Sequence, residues 1–196
     1  MVDKTKVAYI DTSVLANWML YRKKVRVRFR AEKRARQSMK LLKLIQHHKY
    51  SCKFITSTFA FAEIGQSARD ARTAVKIIRD GLNPSWFNRL KRWYPLKPKE
   101  RTDIMRSIQS FYNYLEELGV EVKSSIIDPN EVNEISLRHS LEVCDATHVV
   151  IARSEKADYL ITVDPDFAEV RPKIRKPEAM NPDTPYTKRF LRINKH

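Results

Sequence analysis

Glycine is nearly missing from this chain. Only Gly65, Gly81 and Gly119 occur among 196 residues, so no glycine-rich phosphate loop can be built and the common nucleotide-binding fingerprints are excluded. Cysteine is as scarce: Cys52 and Cys144 stand alone, neither in a Cys-x-x-Cys pair. That excludes a disulfide framework and leads us to expect a reducing, cytoplasmic setting. Cys144, Asp145 and His148 lie close in sequence, but no second Cys or His cluster completes a four-ligand zinc set. No apolar stretch approaches the roughly 18 to 20 residues of a membrane span. The opening MVDKTKVAYID runs into an apparent strand rather than a signal peptide, so no membrane partner is expected. Acidic residues are the remaining shortage, with 38 Lys and Arg against 23 Asp and Glu for a net charge of +15. The deficit is local: from Arg22 to Lys49 there are 12 basic residues and one acid, Glu32. Such a footprint suits a phosphate backbone, with an anionic membrane surface as the lesser alternative.

What is present alternates between strand and helix patterns. Val7 to Asp11 reads as a short buried strand, and Asp11, Thr12 or Ser13 can cap a helix through VLANWMLY. KKVRVRFR has period two, but AEKRARQSMKLLKLIQHH is helical, and one long helix from about residue 24 is favoured. CKFITS is a second strand, followed by a helix opened by Ser57 or Thr58 and running to Gly81. Residues 82–100 mix proline, aromatics and cations and read as an insertion or surface subdomain. A helix from about Glu100 to Leu118 stops at Gly119. VEVKSSIID is a third strand candidate, then come helices over 131–142 and from Asp145, and YLITVD as the last strand. Residues 1–170 therefore form one α/β domain, and residues 171–196, with Pro172, Pro177, Pro182 and Pro185, a proline-rich basic tail. Strands separated by helices predict a mostly parallel sheet with helices on both faces.

Two apolar runs end on aspartate, at Asp11 and Asp164. Open parallel sheets place their sites beyond the carboxyl ends of the strands, so these two acids can be neighbours despite their separation. Glu63, within FAFAEIG, falls on or beside the buried face of its helix, and Asp145 stands at a helix start. Each has a structural use of its own: Asp11 and Asp145 as helix caps, Glu63 as an ion-pair partner or a solvated side chain, Asp164 as an Asp-Pro turn opener. Together they would crowd negative charge at one rim. Crowded carboxylates repel unless they share a proton or a cation, and hard oxygen donors suit Mg²⁺ or Mn²⁺. Such an ion can activate water and neutralise a phosphodiester's charge.

AYIDTSVL, TSTFAFAEI, CDATHVVIA and LITVDPDF, in that order, resemble the four signature segments of the PIN domain nucleases, a family that includes the toxin ribonucleases of VapC-type toxin–antitoxin pairs. The matches extend from residue 7 to residue 167. The resemblance implies a three-layer α/β/α sandwich around a parallel sheet and metal-dependent cleavage of RNA, or sometimes of structured DNA. It implies Asp11, Glu63, Asp145 and Asp164 as the catalytic, metal-holding acids, with Asp166 substituting for or assisting Asp164. Thr12 or Ser13 would hold a carboxylate or a water, and Thr162 would orient the last loop. An antitoxin protein and a homodimer are implied by the toxin members. The basic segment after the first helix and the insertion at 82–100 depart from the family pattern and make the chain longer than a minimal toxin.

Arg26, Arg28, Arg30, Lys33 and Arg34 of the basic segment, and Arg89, Lys91, Arg92 and Trp93 of the insertion, are the candidate nucleic-acid contacts, since aromatics among cations can stack bases and grip phosphates. Such aromatics also commonly pack a helix onto its domain. His148 is expected at the surface or behind the acids. The leading expectation is an Mg²⁺- or Mn²⁺-dependent endoribonuclease, either a toxin or an RNA-processing enzyme. The alternatives are a non-catalytic nucleic-acid-binding scaffold on the same fold and, lower, an aspartyl-phosphate enzyme. The last would want a second acid just after Asp11, where Thr12 and Ser13 stand instead.

Overall fold

The computed structural model describes residues 5–22, 29–46, 52–167 and 176–182. Among them are five strands: β1 (Lys6–Ile10), β2 (Cys52–Ser57), β3 (Glu121–Lys123), β4 (Tyr159–Ile161) and β5 (Glu178–Met180). They form one fully parallel sheet in the order β3-β2-β1-β4-β5. Seven helices accompany it: α1 (Thr12–Arg22), α2 (Phe29–Gln46), α3 (Thr58–Arg79), α4 (Phe87–Leu90), α5 (Pro98–Glu117), α6 (Pro129–His139) and α7 (Val143–Ser154).

The three layers follow from the two-residue alternation of a strand. Ala8 and Ile10 of β1, Phe54 of β2 and Ile161 of β4 enter the core shared with α1, α2, α3 and α5. Tyr9, Ile55 and Leu160 point the opposite way, into a second core with α6 and α7. Parallel strands buried on both faces read as continuous apolar runs, which is why VAYI and YLI carry no polar interruption. In the first core, Trp18 of α1 stacks on Phe111 and Tyr114 of α5 with ring centroids 4.5 and 4.9 Å apart. α5 ends where Gly119 adopts φ 74° and Val120 N–H bonds Leu115 O at 2.9 Å, a left-handed turn that glycine makes without a Cβ clash.

Three expectations need correction. The third strand covers only Glu121–Lys123, not 120–128, because the chain leaves the sheet at Ser124 and Ile126 is 94% exposed. The segment read as a tail supplies β5: Ala179 and Met180 are buried, and Glu178 N–H bonds Asp158 O at 3.0 Å. Proline-rich flanks masked a three-residue strand too short to show periodicity. The insertion is not a subdomain but short helical turns, α4 with single 3₁₀ turns on either side, laid against α3. α2 is helical as favoured, from Phe29; residues 23–28 lie outside the described residues.

Candidate active site

β2 continues from β1 on one side of the sheet and β4 lies on the other, so the strand order reverses at β1. A crevice opens at such a point, beyond the strands' carboxyl ends. Asp11 follows β1 directly, and Asp164 follows β4 by three residues. Glu63 comes from the second turn of α3 and Asp145 from the first turn of α7. All four line one cleft of about 330 Å³, with Thr12, Ser13, Asn17, Ser67 and His148. The chain thus gathers the four acids expected from the sequence. Asp166 is exposed on the rim, and its amide donates to Asp164 Oδ1 at 3.0 Å.

Asp11 is buried at the cleft wall and bonded to protein donors. Ser13 Oγ donates to Oδ2 at 2.6 Å and Thr162 Oγ1 at 2.8 Å, while His148 Nε2 lies 3.2 Å from Oδ1. Ser13 Oγ also accepts from Val163 N–H at 3.2 Å, so Ser13 and Thr162 clasp the β4 exit loop against Asp11. Thr12 donates to Glu63 Oε2 at 2.6 Å.

Of the two places expected for His148, at the surface or behind the acids, the structure gives the second. It is 1% exposed, not at the surface, and bonds Glu63 Oε2 through Nε2 at 2.6 Å. Its Nδ1 lies 2.7 Å from Tyr9 Oη, which lies 2.7 Å from Ser57 Oγ, which in turn accepts from Ala60 N–H. In the neutral imidazole, Ser57 can donate to Tyr9 and Tyr9 to Nδ1, which leaves the Nε2 proton facing the carboxylates; in the imidazolium, Nδ1 donates to Tyr9 and Tyr9 to Ser57. The available signal was spacing: Asp145 and His148 are three apart on one helix face. Tyr9 and Ser57 had no signal beyond their strand positions.

The electrostatics divide the acids. Burial acts to raise Glu63, but the hydrogen bond and charge of His148, with donors Thr12 and Cys144, hold it below its ordinary value. Burial acts to lower His148, yet the charge of Asp11 and the Glu63 hydrogen bond raise it overall. Asp145 is pushed up to about 7, by burial first and then by the charges of Asp11 and Asp164. No hydrogen-bond or ion-pair partner for its carboxyl is found among the described residues. Cys144, next to it, is likewise pushed up to about 11 by burial and by Glu63.

Three or more His, Cys, Asp or Glu side chains forming a ready metal cage are not found among the described residues. Asp11 and Glu63 are turned to protein donors, whereas Asp145 and Asp164 face the open cleft. The donor set nevertheless fits a hard divalent ion: every candidate ligand is a carboxylate oxygen, and the uncompensated repulsion at Asp145 is what a cation relieves. A second groove of about 410 Å³ between α1, α3 and α5 is lined by Met19, Ala68, Val75 and Ile104 and by Arg72, Glu100, Asp103 and Arg106, but its two acids are ion-paired to Arg72, Lys76 and Arg106.

Of the candidate nucleic-acid contacts, Arg26 and Arg28 lie outside the described residues, as does the side chain of Arg30. Lys33 is exposed and Arg34 partly buried on α2. Lys33, Arg36, Lys40 and Lys43 form one exposed stripe opposite buried Ala35, Leu41, Leu42 and Ile45. Arg89, Arg92 and Trp93 are exposed and Lys91 is partly buried. No helix among the described residues is long and apolar enough to cross a membrane. Neither protein-family models nor curated protein sequences give a match to this chain.

Proposed function

We propose that this chain is a divalent-metal-dependent nuclease of the PIN type that hydrolyses RNA phosphodiester bonds. The observation that carries the proposal is the meeting of Asp11, Glu63, Asp145 and Asp164 in one cleft at the point where the strand order reverses. A purely structural set of caps and turn openers has no reason to converge. Asp11, Asp145 and Asp164 are the residues that would hold Mg²⁺ or Mn²⁺, which when bound supplies activation of water and neutralisation of phosphate charge. His148 and Thr12 keep the Glu63 carboxylate ionised and fixed beside the cleft. Ser13 and Thr162 prevent Asp11 from rotating. The cationic stripe of α2 offers an attractive surface to the polyanion. A short neutralising protein and a two-chain assembly belong to the toxin form of this proposal; an RNA-processing enzyme needs neither.

Asp11→Asn is expected to abolish cleavage of a labelled RNA while leaving binding affinity within about twofold, since binding rests on the cations. Equal cleavage by the wild type in EDTA and in Mn²⁺ would refute the mechanism. A second reading, a nucleic-acid binder without catalysis on the same fold, is favoured by the absence of a ready cage among the described residues. Calorimetric titration with Mn²⁺ separates the two: a binder gives no saturable heat that depends on Asp145.

A further inference from the structure

We propose that α4 and its flanking turns form a stacking pad for unpaired bases, engaging RNA at a distance from the cleft. This rests on the RNA reading of the site and adds the strandedness of the substrate. Trp93 is 68% exposed and Trp86 52% exposed, so half or more of each indole is left in water although the segment lies against α3. Free indole is a large apolar surface left in water, and two such rings fall within one short segment of cations. The cations are arranged around the rings. The Arg92 guanidinium lies 5.1 Å from the Trp93 ring centroid, and Lys91 Nζ lies 5.7 Å from that of Phe87. Arg92 thereby steadies one side of the indole, and the exposure of the ring leaves area for a base.

Among the described residues no ion pair joins Arg89, Lys91 or Arg92, and the two nearby acids are engaged elsewhere, Asp80 with the Tyr94 hydroxyl and Glu100 within α3 and α5. Glu100 is occupied by Lys76 Nζ at 2.5 Å, Arg72 Nε at 3.2 Å and the Lys97 amide at 2.8 Å. The same Lys76 donates to Pro95 O at 3.1 Å, which ties the pad's far end to α3. Aromatic rings with unneutralised guanidinium and ammonium groups match a single strand, whose bases stack and whose phosphates need counter-charge. A duplex hides its bases and offers the pad only phosphate. Lys76 is thirteen positions beyond Glu63 on α3, about 20 Å along the helix axis. The stacked base is therefore several nucleotides away from the phosphate at the acids.

The test is fluorescence anisotropy of a labelled single-stranded oligoribonucleotide of about twelve nucleotides, bound to the full chain in EDTA so that nothing is cleaved. Trp93→Ala should weaken binding about tenfold, Trp93→Phe should restore most of it, and the same RNA annealed into a duplex should show no difference between variants. Unchanged single-strand affinity in Trp93→Ala would overturn the proposal, as would an equal loss for duplex. No single-strand binding by wild type, with binding instead to phosphatidylcholine–phosphatidylserine vesicles, would also overturn it. Trp93-dependent binding in a protein that cleaves nothing in Mn²⁺ would leave the pad standing and remove the nuclease reading, so the two failures are distinct.

Discussion

Asp145 should destabilise the metal-free protein, and removing its charge should stabilise it. Its carboxyl is raised from 3.8 to about 7, by burial and by Asp11 and Asp164. About three pK units at about 1.4 kcal/mol each set a ceiling of about 4 kcal/mol. The group is only partly buried, and solvent screening reduces the working figure to about 1–2 kcal/mol. The folded-state value lies above the unfolded one, so the folded chain binds the extra proton between about pH 4 and pH 7, and stability falls as pH climbs through that window. Asn cannot ionise. Asp145→Asn in EDTA should therefore match wild type near pH 4 and melt about 2–8 °C higher near pH 8. Thermal unfolding followed by circular dichroism at several pH values measures this. Mn²⁺ should raise the melting temperature of wild type more than that of the variant, because the ion relieves the same repulsion. A lower melting temperature for the variant at pH 8, or an equal gain at both ends of the window, would refute the reasoning.

Two other perturbations test the frame around the acids. Tyr9→Phe deletes the hydroxyl between Ser57 Oγ and His148 Nδ1, leaving buried polar atoms unpaired; urea denaturation should register a loss of about 1–3 kcal/mol. The loosened imidazole should also weaken calorimetric Mn²⁺ affinity, because His148 contacts both Glu63 and Asp11. Phe111→Ala empties a fully buried position stacked on Trp18 and should cost about 3–5 kcal/mol, with a red-shifted tryptophan emission if Trp18 becomes wetter.

The layered architecture was legible because buried parallel strands and amphipathic helices leave different periodicities. Strand-terminal aspartates were equally visible: a charge ending an apolar run needs a cause, and sheet topology supplied the meeting place for Asp11 and Asp164. Glu63 and Asp145 were singled out by their places, on or beside the buried face of a helix and at a helix start, and then by motif order, since one helical acid differs little from another in isolation. β5 was missed because three residues between prolines carry no pattern. His148 stayed undecided between the surface and a place behind the acids, because a polar residue on an apolar helix face shows its worth only when its partners, Tyr9 on β1 and Glu63 on α3, are brought from distant sequence. The exposed Trp93 was ambiguous in sequence because packing and presenting aromatics have the same composition.

β2 ends at Ser57 and α3 begins at Thr58, with no residue between them. The Ser57 hydroxyl receives the Ala60 amide and also bonds Tyr9. One oxygen thus serves both the start of a helix and the far end of the chain of contacts that aims the imidazole. Fraying at that helix start would be transmitted to the carboxylates without any catalytic side chain changing. An insertion of even one residue at this junction would uncouple the two, so variation in length should be tolerated in the turns beside α4 long before it is tolerated there.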